Sequence, residues 1–575
     1  MNGILKVKNE YLHVAVILLL IAGVYGYGIS RIYGMSIYPD EFGYWASAAS
    51  MMGWDWSQIA SLGSYYSFGY SLILFPILKL TGDSVVAYRV AVTINVVLLS
   101  TAFIILGGMA RRLFPGLEKE RGILFAGVAA LYPAWLYYMQ TTLSEAMLIF
   151  MVILTGNLLL RLIEKPRLIT GVFLTLAIVY TYTLHMRAVG VVIACGTTIL
   201  LWGMLTPGVR KKVCFFLIVL LLALMATFIG KQLIQQSVYS GSSKEILNTN
   251  DYGGQLDKIR TLFSGSGMKN FTVNMAGKFL YMGFASGGLV YWGMGWCMVQ
   301  GKELLLNIKG KKDGKAANWL GLYVLLAAAG QLAICGIYTV GAAGPDWMIY
   351  GRYMELIVPL LSFLGMCMLN QSTHLLRGQG IVLSICSVAA VICLMACRGM
   401  EVSRIRGEHS ALTSILIGEG NVVPTVFFGK VWLMGALVSI GIVGLIWYTR
   451  QKKTRIWLLM FIAAVEILVG IRISQLHVYS SNQNMRMDIS MINMLRERNN
   501  PDEQILFLAE GSDKWIGFLQ MQLREQSITV IEPDDLKGLD TRNTIMLAYY
   551  NSEYLDELEG LYKREVMADV YNVFY

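Results

Sequence analysis

Apolar residues run through most of this chain in unbroken stretches, separated by short polar or basic segments. The stretches are about 18–25 positions long, enough for a helix to cross a hydrocarbon core ~30 Å thick. They show no period-two alternation, which argues against a transmembrane β-barrel. In lipid the backbone must satisfy its own hydrogen bonds, so the pattern predicts a polytopic α-helical membrane protein. Thirteen spans are expected, near residues 11–30, 84–108, 122–139, 143–163, 168–185, 188–206, 213–231, 276–299, 317–342, 354–372, 379–397, 429–449 and 456–473. One further apolar run, Phe68–Leu80, is short for a crossing and reads as a juxtamembrane or re-entrant helix.

Charge fixes an expected orientation. Basic loops fall at Arg111–Arg121, Arg161–Arg167, Arg210–Lys212, Lys302–Lys315 and Arg450–Arg455. Placing these and the N-terminus in the cytoplasm satisfies the positive-inside rule for every one of them. The loop 31–83, the tip Gln140–Glu145, the turns His185–Arg187 and Gly344–Tyr353, the loops 232–275 and 398–428, and everything after 474 are then extracytoplasmic. Lys6 and Lys8 precede a first apolar run too long for a signal-peptide core, which reads as an uncleaved signal anchor in a cell membrane.

Composition agrees. Of 575 residues, 56% are hydrophobic and 15% charged, against roughly 25% charged in soluble domains. The mean hydropathy is +0.56. The net charge of +10 is explained by the basic loops and calls for no nucleic acid. The eight cysteines lie in or beside apolar runs without paired ligand spacing, so they read as small core residues.

The tail differs. Residues 478–575 hold 17 acidic and 9 basic side chains, a net of −8. Segments 504–509, 527–531 and 544–550 read as buried strands, and 488–498 and 512–525 as amphipathic helices between them. The expected division is therefore a membrane domain over 1–473 and a small α/β domain over 474–575. No Gly-rich phosphate loop opens its helices, which disfavours a nucleotide site. The chain shows no inverted pair of broken spans of the transporter kind.

Candidate chemistry starts at Asp40 and Glu41, two acids directly after the first span in a loop dense in aromatics, Tyr38, Phe42, Tyr44, Trp45, Trp54, Trp56, Tyr65 and Tyr66 among them. The plain reading is a solvated loop beside an interfacial aromatic belt. The sharper reading is a general base in a pocket shared by lipid and water. The segment "PDEFGYWASAASMMGWDW", followed by Phe68-Gly69-Tyr70, Arg89 and Arg111-Arg112-Leu113-Phe114, resembles the start of GT-C fold membrane glycosyltransferases. The nearest subgroup is the bacterial relatives of dolichyl-phosphate-mannose protein mannosyltransferases and lipid A aminoarabinose transferases. Phe68 stands where that bacterial pattern often has Pro. Downstream, "LYPAWLYYMQTTLSEAMLIF" with Glu145, "TLHMRAVG" with Arg187, and "YGRYMELIVPLL" with Arg352 are similar to later elements, although Ala188 replaces a Pro. The resemblance covers roughly the first 360 residues and does not extend to the tail.

The resemblance implies an inverting hexosyl- or pentosyltransferase of the cell envelope. It would take sugar from a polyprenyl-phosphate donor to an acceptor glycan, lipid or protein, beside membrane lipid. Asp40 would be the base, with Glu41 positioning it or the acceptor. Arg352 and Arg187 would bind the departing phosphate, although an Arg at a span mouth also fits snorkelling to headgroups. Arg89 is expected to pair with Asp40 or Glu41. Glu145, at a helix start, serves function or complements the helix dipole. Tyr44, Tyr66 and His185 would support the site, His185 structurally, and Asp55 would cap a turn. No obligatory metal or other cofactor is expected, since the acidic pair lacks a His/Asp cluster; GT-C relatives that use divalent ions keep that open. Two other classes remain. A polysaccharide or lipid transporter would face charges toward one another in mid-span, and a cell-wall glycan polymerase or ligase would keep its site in a large late loop.

Overall fold

The computed structural model describes residues 2–36, 40–63, 66–239, 258–310, 313–342, 344–371, 375–400, 405–417, 422–449, 455–498, 503–510, 515–567 and 570–575. Tyr38 and Tyr65 of the aromatic loop and the first residues of the expected helix 512–525 lie outside these.

Among the described residues, nine helices are long and apolar enough to cross a membrane, and Pro345–Tyr353 with Val358–Gln371 makes a tenth candidate bent by 78°. Their outward faces carry large exposed apolar side chains such as Val97, Leu221, Leu222 and Leu437, as lipid contact requires. The protein is a multi-pass membrane protein.

Three expected spans take other forms. The stretch 122–139 divides into Lys119–Ala130 and Pro133–Tyr138, because Pro133 has no N–H to continue the first helix and instead opens the second. Leu168–Leu184 is a 17-residue helix. The stretch 276–299 is two helices, Gly265–Ala285 and Leu289–Lys309, joined through Gly287 and Gly288 with φ of 55° and 80°. Left-handed backbone favours glycine, and a Cβ on Gly287 would sit 2.2 Å from Ile442. The leftover run forms the ten-residue helix Ser71–Leu80, too short to span. Seven of the eight cysteines are buried and all are free.

The helix Arg455–Ser474 continues through a π turn, Gln475–Tyr479, into Ser480–Arg498. The turn places Asn482 against the chain leaving the first span. Its Oδ1 accepts from Tyr33 N at 2.6 Å and Gly34 N at 2.8 Å, and its Nδ2 donates to Ser36 Oγ at 2.7 Å. The segment leading to Asp40 is thus pinned by the tail.

The tail forms a five-stranded sheet in the order β2-β1-β3-β5-β4: β1 Gln504–Leu508, β2 Ile528–Ile531, β3 Thr544–Tyr549, β4 Arg564–Met567 and β5 Tyr571–Phe574. β1 runs parallel to β2 and β3, while β5 is antiparallel to β3 and β4. The first three match the strands expected from the sequence; the last two are additional. Alternation splits the sheet's faces: Leu506, Leu508, Met546 and Phe574 pack with Leu558 and Tyr562, whereas Ile505, Phe507, Leu547 and Tyr571 join the core of the membrane helices. The crossover helix Ile516–Leu523 seals the junction. A Cβ on Gly34 would lie 2.5 Å from Phe518, and one on Gly517 2.8 Å from Phe42.

Candidate active site

The helix Asp40–Met51 opens with the two acids, and they point to different tasks. Glu41 is fully buried. Its Oε1 accepts from Ser36 N at 2.8 Å, and its Oε2 accepts from Tyr88 OH at 2.5 Å and from Thr142 N and Oγ1 at 2.7 Å each. These four neutral donors tie the first loop to the tip 140–145 through Glu41.

Arg89 departs from its expected pairing. It follows Tyr88 directly and so points about 100° around the helix from the side that reaches Glu41. Its Nε donates to Ile32 O at 2.9 Å, and its guanidinium lies 5.5 Å from the Tyr33 ring centroid. Arg89 braces the exit of the first span and pairs with neither acid among the described residues.

Asp40 belongs to a buried charge cluster. Arg352 donates from Nη1 to Asp40 Oδ2 and from Nε to Glu145 Oε1, and Arg187 donates from Nη2 to that same Glu145 oxygen. Two carboxylates and two guanidiniums make the cluster neutral, which is what allows four charges to be desolvated together. Side-chain exposure is 12% for Asp40 and 2–4% for Glu145, Arg352 and Arg187, so Asp40 is the most accessible member. Its Oδ1 accepts from Tyr66 OH. Burial and the adjacent Asp40 carboxylate hold the Tyr66 phenol well above its ordinary pKa, so it stays a donor. The pairing is incomplete. Among the described residues, Arg352 Nη2, Arg187 Nε and Nη1, and Glu145 Oε2 are buried without a hydrogen-bond partner.

Several elements hold these groups in place. His185 Nδ1 accepts from Arg187 N at 3.2 Å, fixing the short turn that carries Arg187; the ring is structural. Gly69 N donates to Thr183 O at 2.9 Å, joining the Phe68-Gly69-Tyr70 element to that turn, and a Cβ on Gly69 would clash there. Tyr44 OH donates to Ser144 Oγ at 2.8 Å, beside the start of the Glu145 helix, and its ring lies 5.5 Å from that of Tyr66. Glu355, one turn after Arg352, accepts from Tyr132 OH and Tyr281 OH and anchors the bent segment. Asp55 Oδ1 accepts from Ser57 N at 2.9 Å, a turn cap as expected.

Asp40, Glu145, Arg187, Arg352 and Tyr66 therefore come together directly, Tyr44 and His185 stand behind them, and Glu41 and Arg89 brace the approach. Sequence reasoning missed Thr142, Tyr88 and Asn482, whose side chains fix the acids. It also missed Tyr353, whose ring lies 4.9 Å from the Arg187 guanidinium. Tyr353 had a signal in the Arg-Tyr dipeptide; the others are ordinary polar residues with none. Among the described residues no three His, Cys, Asp or Glu side chains gather as a metal-ligand group.

The class this architecture defines is the GT-C type of polytopic membrane protein, as the sequence resemblance implied. Its fold is shared with ArnT from Cupriavidus metallidurans, a lipid A aminoarabinose transferase. The apo structure aligns over 98% of this chain and 97% of that one, with a TM-score of 0.53 and 13% identity. The structure bound to undecaprenyl phosphate aligns over the same shares, with a TM-score of 0.54 and 14% identity. The archaeal oligosaccharyltransferase AglB from Archaeoglobus fulgidus aligns over 94% of this chain and 69% of its own, at a TM-score of 0.44 and 10% identity. No family model matches the chain. No curated protein matches it either.

Proposed function

We propose that this protein is an inverting glycosyltransferase that moves a sugar from a polyprenyl-phosphate donor to an acceptor hydroxyl at the extracytoplasmic face. The observation that carries the reading is the buried cluster. It combines a partly exposed carboxylate with two guanidiniums that keep three unpartnered nitrogens. The shared fold of ArnT, seen with undecaprenyl phosphate, supports the donor class. The positive-inside distribution supports the face.

Asp40 accepts the proton of the acceptor hydroxyl as its oxygen attacks the anomeric carbon. The bond from that carbon to the phosphate oxygen breaks on the opposite side, its electron pair leaves with polyprenyl phosphate, and the anomeric centre inverts. Arg352 Nη2 and Arg187 Nε and Nη1 bind the phosphate oxygens. Glu145, shared by both guanidiniums, holds them fixed, so little reorganisation is needed as charge develops. Tyr66 orients the base.

The test is incubation of purified protein with a panel of polyprenyl-phosphate hexoses and pentoses and a membrane extract of glycans, lipids and proteins as acceptors, following free polyprenyl phosphate. Release from at least one donor is expected. No release across the panel, from protein that is folded, contradicts the reading.

A further inference from the structure

A cavity of about 200 Å³ opens at the far end of the Asp40–Met51 helix from Asp40. Ser50, Trp54, Asp55, Trp56 and Ser57 line it from the first loop, and Ser237 from the end of the helix Arg210–Val238. Gly53, with φ of 84°, turns the chain, and Trp54 N closes the turn onto Ala49 O at 3.0 Å. The mechanism above uses none of these residues.

We infer that this cavity is a saccharide subsite for the acceptor, an inference that rests on the glycosyl-transfer reading. Ser50 and Ser237, whose hydroxyls bond each other at 2.7 Å, together with Ser57, one carboxylate and the half-buried Trp54 indole suit a neutral polyhydroxyl ring, whose hydroxyls need donors and acceptors and whose C–H face lies against an aromatic. Asp55 takes one hydrogen bond on Oδ1, at 2.9 Å from Ser57 N, which leaves its second oxygen for a ligand hydroxyl. An anionic headgroup is disfavoured, because among the described residues no Lys or Arg lines the cavity and a carboxylate does. An acyl chain is disfavoured by the polar lining. The volume is below the ~300–1,000 Å³ of sites that enclose a drug-sized ligand, so it takes one ring.

The position adds a specificity. Ser50 lies ten residues along the helix from Asp40, about 15 Å. An acceptor with its attacking hydroxyl at Asp40 reaches the cavity only if it is longer than a monosaccharide. The acceptor class is therefore an oligosaccharide or a glycan-bearing lipid. The wall is held by the tail. Arg524, at the left-handed φ of 58°, accepts from Trp56 Nε1 on its carbonyl at 2.7 Å, donates to Leu78 O and Thr81 O, and holds its guanidinium 5.0 Å from the Trp54 ring. A non-glycine residue persists there only because these contacts over-determine it.

The experiment is saturation-transfer NMR on the full chain in detergent, without donor. The probes are the methyl glycosides of glucose, galactose, mannose and N-acetylglucosamine, with glycerol 3-phosphate alongside. At least one glycoside should bind, with its signal falling several-fold in Asp55→Asn and in Trp54→Ala. Asp55→Asn keeps the Ser57 cap and so keeps the fold, and its unchanged melting temperature certifies the comparison. Binding of no glycoside through these two side chains, or of glycerol 3-phosphate alone, overturns the subsite. Because no donor is present, that failure is separable from a failure to release polyprenyl phosphate.

Discussion

Asp40 and Arg352, 312 positions apart in the chain, form a buried ion pair in which Asp40 is the more accessible partner. The carboxylate needs the arginine to be stable at this depth, and the arginine retains an unpartnered nitrogen.

Arg352 is therefore the first residue to test. Arg352→Lys keeps the charge but loses the fork that serves Asp40, Glu145 and the phosphate together, and should keep only part of the turnover. Arg352→Ala should lose most of it and weaken donor binding too, since the phosphate is anionic in ground and transition states alike. Donor binding and turnover measured for both variants check this. Full activity in Arg352→Ala would remove Arg352 from the phosphate site.

Glu145 holds two guanidiniums on one oxygen. Glu145→Ala leaves Arg352 with Asp40 alone and Arg187 with no carboxylate among the described residues, and breaking a buried pair typically costs ~3–5 kcal/mol. The purified variant should melt well below wild type in detergent. A melting temperature equal to wild type would show that the cluster does not stabilise the fold.

Glu41 should separate from Asp40 by phenotype. Glu41→Ala strands four buried donors, and hydrogen bonds to a charged group are worth ~1.5–3 kcal/mol each. The expected outcome is low yield and a lowered melting temperature, with folded protein still able to turn over. A stable but inactive Glu41→Gln would instead give Glu41 a part in the chemistry.

The orientation has its own test. In a background with Cys214 replaced by Ser, cysteines at Gly82 and Asp534 should react with a membrane-impermeant thiol reagent in whole cells, and one at Asp313 should not. Labelling at Asp313 alone would invert the topology and place the cluster in the cytoplasm.

Much of this was legible in sequence because lipid imposes a strong pattern: the apolar runs marked the helices, and the scarcity of charge made Asp40, Glu145, Arg187 and Arg352 conspicuous. Their pairing was not legible, since it joins loops distant in sequence. The Arg89 expectation failed because one residue of helical rotation decides whether Tyr88 or Arg89 faces Glu41. The breaks at Pro133 and Gly287-Gly288 carry local signals that hydropathy averages away. The role of Asn482 had none, being set by a π turn within an otherwise continuous helix.

The central claim is that Asp40 is the base in transfer from a polyprenyl-phosphate sugar, and one comparison tests it most directly. Wild type and Asp40→Asn are mixed with an active donor and its acceptor under single-turnover conditions, and sugar transfer is timed. Asparagine can still accept from Tyr66 but takes no proton, so the rate should fall by ~10²–10⁴ with donor binding retained. An Asp40→Asn protein that transfers sugar at the wild-type rate would contradict the account.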